Sequence, residues 1–196
     1  MRKSRVETAK TRERIVKAAG AEFAASGISD AALARVMAAA GLTRGGFYRH
    51  FASKDQLVLE ACGKSVLSSV ASLESLIKGK PHEQAFSLLV DRYVSGVHRD
   101  QPRTGCPLAT LGSELARRDK KTRCAVMAGF VRLSRLIASH LETVPLRERP
   151  ERSMAIVAAM VGAVTLARMA PDSGMSESVL AATRADIIRS VRQRRK

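Results

Sequence analysis

The chain has 196 residues, enough for one or two domains with a sizeable core. Thirty-four Lys and Arg against eighteen Asp and Glu give a formal charge of +16, which favours a polyanionic partner but does not choose among DNA, RNA and an acidic membrane. Three cysteines, at 62, 106 and 124, are too few for a disulfide framework, so a reducing compartment is expected.

The basic N-terminus runs into Glu7, Glu13 and Glu22 rather than an apolar stretch, so no signal peptide is read. No apolar run of the ~18 residues that cross a bilayer is read either. The expectation is a soluble cytoplasmic protein. Residues 1–6 are basic and could be a frayed terminus or an arm along phosphate or the minor groove. A helix over 7–26 carries Ile15, Ala18, Ala19 and Phe23 as its core stripe and ends at Gly27.

The stretch from Ala31 to Leu57 organises the rest. Ser29 or Asp30 can cap a short helix whose apolar face is Leu33, Val36, Met37 and Ala40. Gly41 supplies the left-handed position that ends it. Thr43 caps a second helix over 43–50, with Phe47 pointing inward. This is helix–turn–helix geometry, whose second helix enters the DNA major groove. Gly45 and Gly46 lie inside that helix, and each costs up to ~1 kcal/mol against Ala. Either the helix is marginal until DNA orders it, or the glycines let backbone approach the duplex. Ser53 starts the next helix, with Gln56 completing a capping box.

Leu33-Ala34, Ala40-Gly41-Leu42-Thr43, Phe47-Tyr48, His50-Phe51, Ser53-Lys54 and Leu57 together resemble the DNA-binding domain of TetR-family transcriptional regulators. The Phe-Tyr-x-His-Phe-x-Ser-Lys run is the specific part, and the likeness covers about the first third of the chain. It implies an all-α protein with a DNA-binding head over 1–56 and a ligand-binding, dimerising body over 57–196. The candidate DNA contacts are Ser29, Arg35, Thr43, Arg44, Gly46, Tyr48, His50 and Lys54. Arg44 is the candidate for base readout, because a guanidinium matches guanine O6 and N7. Thr43, Tyr48, His50 and Lys54 can donate to phosphate.

Beyond the head, a long helix over 53–78 ends at Gly79-Lys-Pro81, and one over 82–99 follows with Phe86, Leu89, Val90, Tyr93 and Val97 on one face. A Pro- and Gly-containing loop over 100–107 leads to a helix ending near Arg118. Asp119 starts another, with Cys124, Met127, Phe130, Val131, Ser134 and Ile137 near one side. The helix over 151–170 is apolar nearly all round and so needs partners on two sides. A last amphipathic helix begins at Ser176.

The resemblance implies a small inducer in the body. Phe86, Val90, Tyr93, Leu111, Met127, Phe130, Met154, Val157 and Met160 are candidates to line its pocket, or else simply fill a core. Tyr93 and Glu114 are the polar handles. Cys106, at a predicted helix start beside Arg103, is either a thiol made reactive by the helix end or a small packed side chain. The four histidines show no metal-ligand spacing, and no cofactor, metal or catalytic group is expected. The last two helices suit a homodimer whose paired heads read a palindromic operator. A ligand-independent architectural DNA-binder is the alternative.

Overall fold

The computed structural model describes residues 5–192. Residues 1–4 of the basic N-terminal segment and the last four of the basic tail therefore lie outside the described residues. Among those described there is no strand.

Three elements and the start of a fourth build the head. Helix α1 spans Arg5–Ser26 and α2 spans Leu33–Ala39. A 3₁₀ segment, Arg44–Arg49, follows, and then α3, Lys54–Ile77. Ile15, Phe23, Ile28, Val36, Met37, Phe47, Phe51 and Leu57 are fully buried between them. The Phe47 and Phe51 rings stack with centroids 5.6 Å apart. The Arg12 guanidinium lies 4.4 Å over Phe51 and pairs with Glu60 of α3. Gly41 (φ +67°) makes the left-handed turn between α2 and the recognition segment.

The caps differ from the expectation at two places. Ser53 accepts from the Gln56 amide at 3.1 Å, and the Gln56 side chain accepts from the Ala52 amide at 2.8 Å. That closes the predicted capping interaction. Helix α2, however, starts from Ala32 with no side-chain cap, so neither Ser29 nor Asp30 caps it. The recognition segment is 3₁₀ rather than α-helical. Two adjacent glycines remove both propensity and side-chain packing from a segment only six residues long.

The body consists of α4 (His82–Tyr93), α5 (Gly96–Asp100), a 3₁₀ turn (Pro102–Thr104), α6 (Pro107–Ala116), α7 (Lys120–Ala138), a 3₁₀ turn (Leu146–Glu148), α8 (Arg149–Met169) and α9 (Ser173–Arg192). The single helix expected over 82–99 is broken after Tyr93. Ser95 caps a new start by accepting from the His98 amide at 3.1 Å, and Val97 is left exposed. Asp119 caps α7 through the Lys121 and Thr122 amides, at 2.8 and 3.1 Å. The inner face of α7 is Val126, Gly129, Leu133 and Ile137, whereas Cys124, Met127 and Val131 are exposed. The expected stripe was rotated because Gly129 reads as neutral in the sequence yet marks the closest approach of two helices.

Helix α3 passes without interruption from head to body and packs along α7 in parallel. Gly63 faces Ala125, Val66 faces Gly129, and the Arg132 guanidinium holds Glu74 at 2.8 Å. A Cβ on Gly129 would lie 2.1 Å from Val66 Cγ1. Segment Leu146–Met169 is long and apolar enough to cross a membrane, contrary to the expectation that no such run exists. Here it packs against α7 and α9, with Ile156, Val157, Met160 and Val164 in the core. Its other side is a stripe of Ala155, Ala158, Ala159, Gly162, Leu166 and Met169, all at least partly exposed.

Candidate nucleic-acid interface and body cleft

The turn and the caps around the recognition segment sort its side chains cleanly. Phe47 goes into the core, while Thr43, Arg44, Tyr48 and Arg49 are exposed, Tyr48 at 74%. Thr43 occupies the cap position in extended backbone, but its hydroxyl makes no capping bond. Gly46 is half-buried, and a Cβ there would meet only Met37 Cε, at 3.7 Å. His50 is half-buried, with its carbonyl accepting from Arg12 Nε at 3.3 Å.

Three further DNA candidates are engaged inside the protein. Lys54 Nζ donates to the Ser29 and Ala31 carbonyls at 3.2 and 2.9 Å, tying α3 to the α1–α2 loop. The Ser29 amide donates to Glu114 at 3.2 Å. Arg35 Nε pairs with Glu22 at 2.7 Å. An ammonium and a guanidinium each retain donors after such contacts, so both stay chemically able to reach a phosphate.

Glu114 is not among the residues that line the body cleft. Its carboxylate accepts the Ile28 and Ser29 amides, at 2.9 and 3.2 Å, and so joins α6 to the head. Arg118 reaches Asp55 in the first turn of α3 at 3.3 Å. Glu22, a buried carboxylate, takes Arg35 on one oxygen and Arg103 of the body on the other, at 3.5 Å. The head is thus fastened to the body by buried or half-buried acids on both sides of the joint.

A cleft of the body between α3, α4 and α5 has a volume of about 540 Å³. Its walls are Ser69, Ser72, Leu73, Ser75 and Leu76 of α3; Arg92 and Tyr93 of α4; Val97 and His98 of α5; and the stretch Gln101–Cys106 except Pro102 and Arg103. Of the pocket residues expected from sequence, Tyr93 and Cys106 line it. Val90, Leu111 and Val157 are fully buried core, Phe130 packs at the core edge, and Met127 and Met154 are surface residues. Phe86 lines a much smaller depression toward α9. The remaining lining residues were missed. The serines at three-residue spacing on an otherwise apolar helix were the available signal, together with the break after Tyr93 that brings His98 round.

Around Cys106 the polar groups are closely matched. His98 Nδ1 meets the Tyr93 carbonyl at 2.7 Å, and its Nε2 accepts the Cys106 amide at 2.9 Å. With one nitrogen donating and the other accepting, the ring is neutral, and burial holds its pKa below the ordinary value. The Cys106 thiol is only 2% exposed. Burial pushes its pKa up; the Tyr93 hydroxyl and the Leu108 and Ala109 amides pull the other way more weakly. The helix end therefore does not produce a reactive thiolate here, and the packed reading of Cys106 is the better one. Burial likewise pushes the Cys62 thiol up to about 12. His82 and His140 meet through their Nδ1 atoms at 3.0 Å, yet no group of three possible metal ligands occurs among the described residues.

Two family models match the chain, one in each part. The model described as "Bacterial regulatory proteins, tetR family" matches residues 15–61. A second, "Transcriptional regulator LmrA/YxaF-like, C-terminal domain", matches residues 83–179. The transcriptional regulator SrpR of Pseudomonas putida is 47% identical over 53 residues, which are 27% of this chain and 25% of the relative. The "Probable acrEF/envCD operon repressor" of Escherichia coli K12 is 31% identical over 96 residues, 49% of this chain and 43% of the relative. The matched stretches thus span less than half the length of these curated relatives. A TetR transcriptional regulator from Chloroflexus aurantiacus superposes with a TM-score of 0.75 at 28% identity, over 92% of this chain and 96% of that one. A TetR-family regulator from Cytophaga hutchinsonii gives a TM-score of 0.79 at 17% identity, over 96% and 98%, and so shares the fold. These relatives are transcription factors rather than enzymes, and with both halves of the chain matched, it belongs to the TetR family of transcriptional regulators.

Proposed function

We propose that the protein is a homodimeric, cytoplasmic repressor that leaves a palindromic operator when a small molecule fills the body cleft. The observation that carries the DNA half is the sorting of the recognition segment, with Phe47 inward and Thr43, Arg44, Tyr48 and Arg49 outward. Arg44 reads a base edge; Thr43, Tyr48, His50 and Lys54 hold phosphate; and the Gly46 backbone comes close to the duplex. Ser29 and Arg35 border this surface. The boundary between head and body falls near residue 56, inside α3.

The exposed small-residue stripe of α8 supports the dimer. Gly162 has open space where a Cβ would stand, so a second copy of α8 and α9 can approach closely. Two-fold-related heads then address two half-sites. Thr104 of the cleft wall is the chain neighbour of Arg103, which pairs with Glu22 of the head, and Glu22 in turn pairs with Arg35; this supports coupling of occupancy to the head.

The test is binding to DNA from the gene's own upstream region, against random DNA, over a range of salt. Arg44→Ala is expected to cost about 1–3 kcal/mol at the specific site and much less on random DNA. Equal loss on both assigns Arg44 to phosphate instead. Binding that is equally salt-sensitive on both DNAs overturns the specific-repressor reading in favour of an architectural binder.

A further inference from the structure

We infer that the body cleft selects a small amphipathic anion, an aromatic carboxylate, with its acid group at the Tyr93 hydroxyl and the Arg92 guanidinium. The inference rests on the cleft being the effector site.

The first observation is an unused donor. Tyr93 is 3% exposed, lines the cleft, and its hydroxyl has no hydrogen-bond partner among the described residues other than the weak one offered by Cys106. The Cys106 thiol stands beside it, but a thiol is a poor acceptor. A buried hydroxyl with only a thiol to donate to calls for a better acceptor supplied from outside. A carboxylate oxygen is the strongest common acceptor for it.

The second observation is the charge of the walls, which include no acidic side chain. Arg92 stands exposed at the mouth with no ion pair among the described residues. Its neighbour Asp91 faces α9 in a different depression. Behind Gly105 and Cys106 lies Arg168, half-buried, whose hydrogen bonds go to neutral groups. These are the His98, Arg99 and Ala109 carbonyls, at 2.7, 2.9 and 3.0 Å, and the Thr110 hydroxyl at 2.8 Å. The nearby acid, Asp100, is held by Arg99 at 2.7 and 3.0 Å. The start of α6 adds the positive end of its dipole at Cys106. His98 is neutral and fully bonded. An anion entering this space meets positive potential from two sides and displaces no resident carboxylate.

The opposite wall describes the rest of the ligand. Leu73, Leu76 and Val97 are apolar. Ser69, Ser72 and Ser75 donate back to the carbonyls of Ser65, Ser68 and Ala71, at 3.0, 3.1 and 3.0 Å. Their protons are thus used while their lone pairs are free, which suits an aromatic ring that carries a hydroxyl donor.

The probes are 6-hydroxy-2-naphthoate, its neutral carboxamide and the corresponding methylamine, titrated calorimetrically into the full-length protein. The chain has no tryptophan, so naphthalene fluorescence gives an independent reading. The carboxylate is expected to bind at least about tenfold more tightly than the amide, with the amine weakest. Tyr93→Phe is expected to weaken the carboxylate by about tenfold while leaving the melting temperature of the unliganded protein unchanged or higher. Arg92→Gln weakens the carboxylate and not the amide. If the amide or the amine binds as tightly as the carboxylate, the anion inference falls and the effector site stands. If no probe of any charge binds, both fall.

Discussion

The recognition segment and the α3–α7 seam both use paired glycines, to opposite ends. In the segment, a Cβ on Gly45 would meet nothing within 4 Å, and one on Gly46 would make an ordinary contact with Met37. Neither glycine has a positive φ, so neither is required by the backbone. In the seam, a Cβ on Gly63 would stand 3.3 Å from that of Ala125, and one on Gly129 would overlap Val66. Glycine loosens the element that faces DNA and tightens the element that carries the head. The same residue reads identically in sequence, and only the facing surface tells the two uses apart.

The comparison predicts the largest effect at Gly129. Gly129→Ala is expected to lose about 1–3 kcal/mol through overpacking, seen as a lower urea midpoint by circular dichroism. Val66→Ala in the same chain should recover part of the loss, because it removes Cγ1, the closer of the two colliding atoms, and leaves Cβ at 2.8 Å. Full loss in the double variant would mean the seam is not the source of the strain. Next is the acid that joins α6 to the head. Glu114→Ala leaves the buried Ile28 amide without an acceptor and is expected to cost about 1–2 kcal/mol, with hydrogen exchange at 27–30 rising most. The smallest effect carries the opposite sign. Gly45→Ala is expected to raise the melting temperature, gaining up to about 1 kcal/mol by propensity. If the looseness serves DNA approach, the same change weakens operator binding. A gain in both stability and affinity would show that the segment is merely marginal.

Much of the head could be read from the sequence because its signals are local. A turn glycine, a cap with its partner three residues on, and an aromatic four residues past Thr43 each act within one turn of chain. Even so, the contacts of Arg35 with Glu22 and of Lys54 with the α1–α2 loop were invisible, since the first joins residues 13 apart and the second joins α3 to a loop before α2. The cleft was hardly legible. Apolar periodicity identifies residues that must be buried, and Val90, Leu111 and Val157 duly are. A pocket, by contrast, is where burial fails, and its residues break the period. Arg92, Gln101 and Thr104 are polar residues at a helix end and in a loop, unremarkable until the break at Val94 folds them toward α3. The link from Glu114 to the head could not be read, because its partners are backbone amides, which no side-chain pattern records.

The unbroken passage of α3 through both halves bears on cooperativity. Its first turn is capped in the head, its middle is interlocked with α7, and its C-terminal half walls the cleft. No loop intervenes where the head could unfold while the body remains intact. The two functional halves are therefore expected to share one unfolding transition, with melting followed at the head and at the body coinciding. Evolution can exchange the side chains on either face of α3, but a change in its length or register would reach the DNA surface and the cleft together.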